Sequence, residues 1–283
     1  MILITGATGN VGRELVDKLA SQGESLRVVT RDKAKVEHLD TKIERVIGDM
    51  DDEATVERAV AGVDKLFMFP LITEEDHRSN IMLLKKSKEA GVKHVVMLSS
   101  MGANQARSQI GALHREKEVL VEKSGMSWTF LRPGAFMSNS LQWLPTIKSQ
   151  GQVFNPTGDG KVAPISPRDI AAVAAIALTN EGHEGQIYLL TGPELISAQE
   201  QVGILSRAIG KTLKCIDIPI NVAADQMSKT GAPGFLVEGL SVMWEAIKRG
   251  NAAIQSKDLE RVTSSKGENF AQWCLEHRDE FLN

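Results

Sequence analysis

The sequence predicts an α/β protein: a doubly wound parallel sheet followed by a smaller, mostly helical lobe. Short apolar runs rich in β-branched residues alternate with helix-period segments through residue 132, and strict strand–helix–strand rotation argues a parallel sheet with helices on both faces. A glycine recurs between helix and strand in AGVDKLFMF (61–69), AGVKHVVML (90–98) and SGMSWTFLR (124–132), where a left-handed residue closes a helix end. After residue 150 the rhythm changes.

The first strand is ILIT (2–5). VGRELVDKLASQG follows as a helix with Val11, Leu15, Val16 and Leu19 on one face and Gly23 as its stop. LRVVT (26–30), IERVI (43–47), KLFMF (65–69), HVVML (94–98) and WTFLR (128–132) supply further strands. The stretch GQVFNPTGDGKVAPISPRD (151–169) is rich in Gly, Pro and Asp and reads as loop with a short strand. PRDIAAVAAIALTN (167–180) reads as a helix opened by proline, and GQIYLLTGP (185–193) as one more strand. LISAQEQVGILSRAIGK is an amphipathic helix with Ile204, Leu205, Ala208 and Ile209 on its apolar side, and the remainder is helical with breaks at Gly231–Gly234 and Gly250. The sheet domain is thus expected over 1–150, with 167–190 returning to it, and the smaller lobe over 151–283.

Bulk composition narrows the partners. With 42% hydrophobic and 24% charged residues, the chain is ordinary for a globular protein. A net charge of −3 favours no nucleic acid. The longest apolar run, IAAVAAIAL (170–178), is about half of what a membrane span needs. Met1 runs straight into a strand, leaving no room for a targeting peptide. Cys215 and Cys274 have no close spacing partner for a metal site or a disulfide framework. The expectation is a cytoplasmic monomer or homodimer that holds no metal.

Directly after the first strand comes TGATGNVG (5–12), with Gly6, Gly9 and Gly12 spaced G-x-x-G-x-x-G. A glycine loop that leaves a strand and enters a helix offers backbone N–H groups and a helix dipole to a pyrophosphate. Gly6 would make the tight turn, Gly9 would let the backbone approach the phosphates, and Gly12 would allow close helix–strand packing. Thr8, Asn10 and Val11 would add backbone donors or a hydroxyl. This is the Rossmann arrangement for a nicotinamide dinucleotide. Arg31 follows Gly12 by nineteen residues, in TRDKAK (30–35), with Lys33 and Lys35 nearby. A guanidinium pairs well with a 2′-phosphate and gains nothing special from a hydroxyl, so NADP(H) is preferred. Asp32 leaves NAD(H) open, because an acidic residue at this point serves the ribose hydroxyls.

Taken together these motifs resemble the NmrA-like family, an atypical branch of the short-chain dehydrogenase/reductases. The resemblance rests on TGATGNVG, GDMDD (48–52), LSSMGA (98–103), TFLRPGAFMSN (129–139), ISPRDIAAVAA (165–175), YLLTGP (188–193) and the closing segment 247–270. It implies that Asp49 faces the adenine amine, that Phe69 and Pro70 line the adenosine side, and that Ser99 and Pro133 lie near the nicotinamide. Bland alternatives stand beside these roles: Phe69 as core, and Asp49 as the cap of the next helix.

Typical members of that superfamily carry Tyr-x-x-x-Lys, and extended members place a glutamate four residues after the lysine. If Glu118 in IGALHREKE (110–118) marks that glutamate, His114 stands for the lysine and Ile110 for the tyrosine. The sequence has one tyrosine, Tyr188, with no lysine four residues on. Reducing an ordinary ketone makes an alkoxide that demands a proton in the same step, whereas quinones and cationic dyes need chiefly a well-placed hydride. Several NmrA-like relatives reduce quinones, azo dyes or triphenylmethane dyes, and others sense NADP. His114 is the best remaining proton donor. Lys117, on the same helix face, reads as surface-solvated, Ser99 and Ser100 could hydrogen-bond an acceptor oxygen, and Arg132 would pair within the sheet domain. Substrate contacts are expected from Phe136, Met137 and Asn139 after the sixth strand and from Phe235 and Trp244 in the helical lobe, with Met227 and Met243 beside them. The function expected is an NADPH-dependent reductase of a conjugated, quinone- or dye-like acceptor. A non-catalytic NADP(H) sensor and a reductase of imines or enones are the alternatives.

Overall fold

A computed structural model describes residues 1–72, 77–104 and 108–282. The chain divides into two compact units: 1–104, 112–133 and 167–189 form the first, and 105–111, 134–166 and 190–283 the second.

The first unit is the wound sheet. In chain order it contains β1 (Ile2–Ile4), α1 (Asn10–Ser21), β2 (Leu26–Thr30), β3 (Glu44–Ile47), α2 (Glu53–Val60), β4 (Lys65–Met68), α3 (Arg78–Glu89), β5 (His94–Leu98), α4 (Gln109–Lys123, joining this unit from residue 112), β6 (Ser127–Pro133), α5 (Pro167–Thr179) and β7 (Gln186–Leu190). The strands lie in the order β3-β2-β1-β4-β5-β6-β7, with β1 parallel to both β2 and β4. The strand order therefore reverses between β1 and β4, and in open α/β sheets ligands bind beyond the carboxyl ends of the strands at such a switch.

Burial explains why these segments are strands. All five residues of β5 are buried, as befits a strand covered by helices on both faces. Leu66, Met97 and Phe130 from neighbouring strands share one core with Val56, Leu83 and Val121 from the helices. The alanines of α5 let it lie close on α1, and Ala171, Ala174, Ala175 and Ala177 are all fully buried.

The larger part of the second unit starts at Gly134, whereas the sequence places the change of rhythm at 150. The intervening stretch is helical, Met137–Trp143 and then Leu144–Gln150, so it prolongs the alternation on paper. Its core gathers Met137, Leu205, Phe270, Trp273 and Cys274. Helix Ala198–Ile209 starts with a capping box in which the Ser197 hydroxyl accepts from Glu200 N at 3.2 Å and Ser197 N donates to Glu200 Oε2 at 2.7 Å. Strand Gln152–Asn155 pairs in parallel with Lys214–Asp217. The latter corrects the expectation that this part of the chain is helical: KCID is short, and with three residues exposed and one half-buried it carries no buried apolar pattern that marks a strand. No described helix is long and apolar enough to cross a membrane, and the described residues hold no cluster of three His, Cys, Asp or Glu that could bind a metal ion.

Candidate active site

The glycine loop sits at the switch point. The Thr5 hydroxyl donates to Phe67 O at 3.2 Å and accepts from Phe69 N at 2.8 Å, tying the ends of β1 and β4 together. Gly6 turns the chain at φ +66, and Gly9 N donates to Gly6 O at 3.0 Å. Gly9 is the N-cap of α1 and supplies no side-chain cap. A helix start leaves its first N–H groups without intrahelical acceptors, and at this end the helix dipole is positive. A Cβ on Gly12 would lie 2.1 Å from Gly6 O and 2.8 Å from Ala7 Cα, so only glycine lets α1 meet the loop this closely. Thr8 is half-buried, Asn10 exposed and Val11 buried.

Basic groups gather beyond β2. The Arg31 guanidinium is 81% exposed and lies 3.9 Å from the Asp49 carboxylate. Asp32 turns away to its own chain, accepting from Ala34 N at 3.0 Å and capping the short turn Lys33–Val36. Lys35 lines a shallow cleft together with Ala7, Arg13, Asp17 and His38. Sequence reading missed Arg13 and His38. The signal for Arg13 was its place directly after Gly12, and His38 had none.

Two bland alternatives fall away here. Asp52, not Asp49, caps α2, accepting from Thr55 N at 3.0 Å. Phe69 is 51% exposed rather than core, and its Cβ is what a side chain on Gly6 would strike, at 2.8 Å. Its ring root thus leans on the glycine loop, while Pro70 is buried beside it.

At the ends of β5 and β6 lies a buried carboxylate. Glu118, fully buried, receives both Arg132 Nε at 2.8 Å and Arg132 Nη2 at 2.6 Å, the Ser99 hydroxyl at 2.6 Å and Arg115 Nη1 at 3.0 Å. Burial works to raise its pKa, but the Arg132 and Ser99 hydrogen bonds and the Arg132 charge outweigh it, so the carboxyl sits below its ordinary value. Arg132 therefore pairs within the sheet domain as expected. The Ser99 hydrogen is committed to Glu118, which leaves that hydroxyl only lone pairs to offer. Pro133, next to Arg132, is buried at the tip of β6.

The rest of IGALHREKE is less ordinary. His114 has its pKa pushed down to about 4 by burial, with the nearby Glu118 charge pulling upward and Lys117 downward. Its Nδ1 is buried and has no hydrogen-bond partner among the described residues. Lys117 is not solvated: its side chain is wholly buried and its amine touches His77 Nδ1. Burial lowers its pKa against the pull of Glu116, and the N-terminal end of α3, where His77 is the cap, offers a cation nothing. Charges on every side of α4 hid which face points inward. Tyr188, the single tyrosine, is buried in β7 with its hydroxyl 2.7 Å from His183 Nδ1.

The residues expected against a substrate all lie in the second unit. Phe136 is half-buried and bridges to Ile165, Asn139 is exposed, and Met137 is 1% exposed inside the core. Phe235 and Trp244 are both half-buried on helix Gly234–Lys248. Nine residues apart, they project from opposite sides of it.

Comparison with known proteins identifies the family. The family described as NAD(P)H-binding matches residues 6–181. The chain is 37% identical to the (4-alkanoyl-5-oxo-2,5-dihydrofuran-3-yl)methyl phosphate reductase of Streptomyces griseus and 34% identical to the NAD(P)H azoreductase of Xenophilus azovorans, covering 99% of both chains in each case. The structure of the NADPH-dependent quinone oxidoreductase QOR2 of Escherichia coli complexed with NADPH superposes with a TM-score of 0.84 at 26% identity, over 98% of this chain and 99% of that one. Solved NmrA shares the fold, with a TM-score of 0.75 at 16% identity over 97% of this chain and 94% of that one. The resemblance carried by the sequence motifs is thereby borne out, and the chain belongs to the NAD(P)H-binding family as one of its oxidoreductases.

Proposed function

We propose that the protein is an NADPH-dependent reductase that delivers hydride to a conjugated acceptor without a tyrosine–lysine dyad. The observation that carries this reading is the buried His114, its pKa pushed down to about 4: if Glu118 marks the glutamate that follows the dyad, His114 and Ile110 stand at the dyad's lysine and tyrosine positions. The glycine loop supplies the cofactor cradle. The uncapped start of α1 fits a pyrophosphate, held by Gly6, Thr8, Gly9, Asn10 and Val11, with Gly12 letting the helix and the loop meet closely. Arg31 and Lys35, joined by Arg13 and His38, take the 2′-phosphate, and the commitment of Asp32 to its own turn removes the rival carboxylate. Asp49, Phe69 and Pro70 border the adenosine, and Ser99 and Pro133 the nicotinamide.

Bound dihydronicotinamide supplies the hydride. A ketone would then need a strong acid at hand, and a His114 whose pKa is about 4 carries no spare proton near neutrality. An imidazole in its Nδ1–H form donates a hydrogen bond to a developing anion without changing its own charge. That suffices for an acceptor whose negative charge is delocalised, which then takes its proton from water. Quinone, azo and 5-oxo-dihydrofuran compounds, named for the relatives above, share a double bond activated in this way. Phe136, Asn139 and Phe235 are proposed contacts for it, while Trp244 projects from the other side of its helix and Met137, sunk in the core, shapes the segment that carries its neighbours.

The test is the loss of reduced-nicotinamide absorbance with purified protein, using NADPH and NADH in parallel against quinones, azo and triphenylmethane dyes and an unsaturated lactone. Acceptor-dependent turnover, faster with NADPH, is expected. Tight NADPH binding with a flat trace for every acceptor would sink the reading in favour of a sensor.

A further inference from the structure

Helix Gly234–Lys248 contains an interior glycine, Gly239, which is buried. Glycine weakens a helix interior relative to alanine, so its place there calls for a packing reason. The structure supplies one: a Cβ on Gly239 would lie 2.4 Å from Ile110 Cδ1, 2.6 Å from Ile110 Cγ1 and 3.2 Å from Ile110 Cβ. Ile110 thus fills a notch that exists only because the helix has no side chain at that point. A second tie lies next to it, where Gln109 N donates to Glu238 Oε2 at 3.3 Å.

Helical spacing makes the notch informative. Phe235 and Met243 lie four residues to either side of Gly239 and share its face. Neither is taken into a core: Phe235 is half-buried and Met243 is 39% exposed. Gly239 and Ile247 are the helix's only buried residues among those described, so its seating depends on few contacts. Ile247 is held by the same device, since its carbonyl oxygen lies 2.2 Å from where a Gly160 Cβ would be.

We propose that Ile110 and Gly239 are a specificity-determining pair: Ile110 seats helix Gly234–Lys248 and so places Phe235 and Met243 against flat, multi-ring acceptors. The proposal rests on the reductase reading above. Aromatic and thioether side chains on an exposed helix face suit an apolar, planar ligand, and a notch that fixes their height sets how large a ligand they meet. Ile110 acts here as a positioning residue, with no part in proton transfer.

The test uses three proteins: wild type, Gly239→Ala, and Gly239→Ala combined with Ile110→Ala, which removes the two nearest clashing atoms and leaves Cβ at 3.2 Å. KM and kcat are measured for a one-ring benzoquinone and for two-ring naphthoquinone and azo acceptors, together with the NADPH Kd. Gly239→Ala is expected to raise KM for two-ring acceptors at least tenfold, with the benzoquinone KM and NADPH Kd within threefold of wild type, and the double variant to recover most of the loss. Equal effects on both acceptor sizes, or no recovery in the double variant, would overturn the pair's role in specificity. Amide exchange of residues 234–248 is read on the same proteins, with faster exchange in Gly239→Ala and recovery in the double variant expected. If wild type turns over no acceptor, the reductase reading fails by itself. Exchange then judges the notch, and unaltered exchange in Gly239→Ala refutes it.

Discussion

Removing the carboxylate of Glu118 should loosen the sheet where it carries the proposed nicotinamide neighbours. Glu118→Ala leaves Arg132, whose side chain is only 9% exposed, without its two-pronged partner, and it frees the Ser99 hydroxyl. Breaking a buried pair by deleting one member costs on the order of 3–5 kcal/mol, because a desolvated charge is left behind. At about 1.4 kcal/mol per decade, this predicts a roughly 10²- to 10⁴-fold loss of hydrogen-exchange protection for the slowest amides of β5 and β6. Native-state exchange is the suitable assay, since it reads these strands without assuming that the two units unfold together. Replacing both partners, Glu118→Leu with Arg132→Met, should restore protection to within about tenfold of wild type, because neither charge of the buried pair is left without the other. Protection within about threefold of wild type in Glu118→Ala, or a double variant as weak as the single one, would refute the reasoning. The pH arm has a definite sign. The folded-state pKa of Glu118 lies below its ordinary 4.5, so its contribution is present above that value and is lost as pH falls through the folded-state pKa.

Four further outcomes are expected. Arg31→Ser should weaken NADPH binding by about tenfold and leave NADH nearly unchanged, as loss of one charge-assisted contact implies; equal losses for both in fluorescence titration would remove Arg31 from the 2′-phosphate. Gly12→Ala should cost NADPH affinity heavily while the far-UV spectrum is retained, since the added Cβ meets backbone at 2.1 Å and backbone yields little. For His114, pushed from 6.5 down to about 4, the unfolded chain takes up a proton that the folded one refuses, so stability falls as pH drops between those values; His114→Gln should flatten the Tm-against-pH curve there, and a variant with the wild-type slope would contradict the burial argument. Lys117→Met, an apolar replacement for a buried amine, should leave Tm equal or raise it, whereas a fall of more than about 5 °C in calorimetry would mean that the charge is held by a strong partner.

How far the sequence could be read depended on how local each constraint is. The glycine loop was legible because Gly6, Gly9 and Gly12 lie within seven residues of each other and answer to one turn and one helix start. β5 was legible for the same reason, since the four apolar residues after His94 need no partner to be recognised. Arg132 was read as a structural pair, and its partner Glu118 was already singled out for other reasons, but nothing in the spacing joined them to Ser99. Lys117 is the opposite case. Its burial follows from His77 at the start of α3, forty residues upstream, and Arg115, Glu116 and Glu118 around it present charge on all sides, so no apolar stripe marks the inward face. Phe235 and Trp244 show a third kind of limit: side-chain type suggested a shared pocket wall, while helical geometry alone, available in the sequence, sets them on opposite sides. Gly239 belongs with them. An interior helix glycine is visible in the sequence, but what it makes room for appears only when Ile110 is found in its notch.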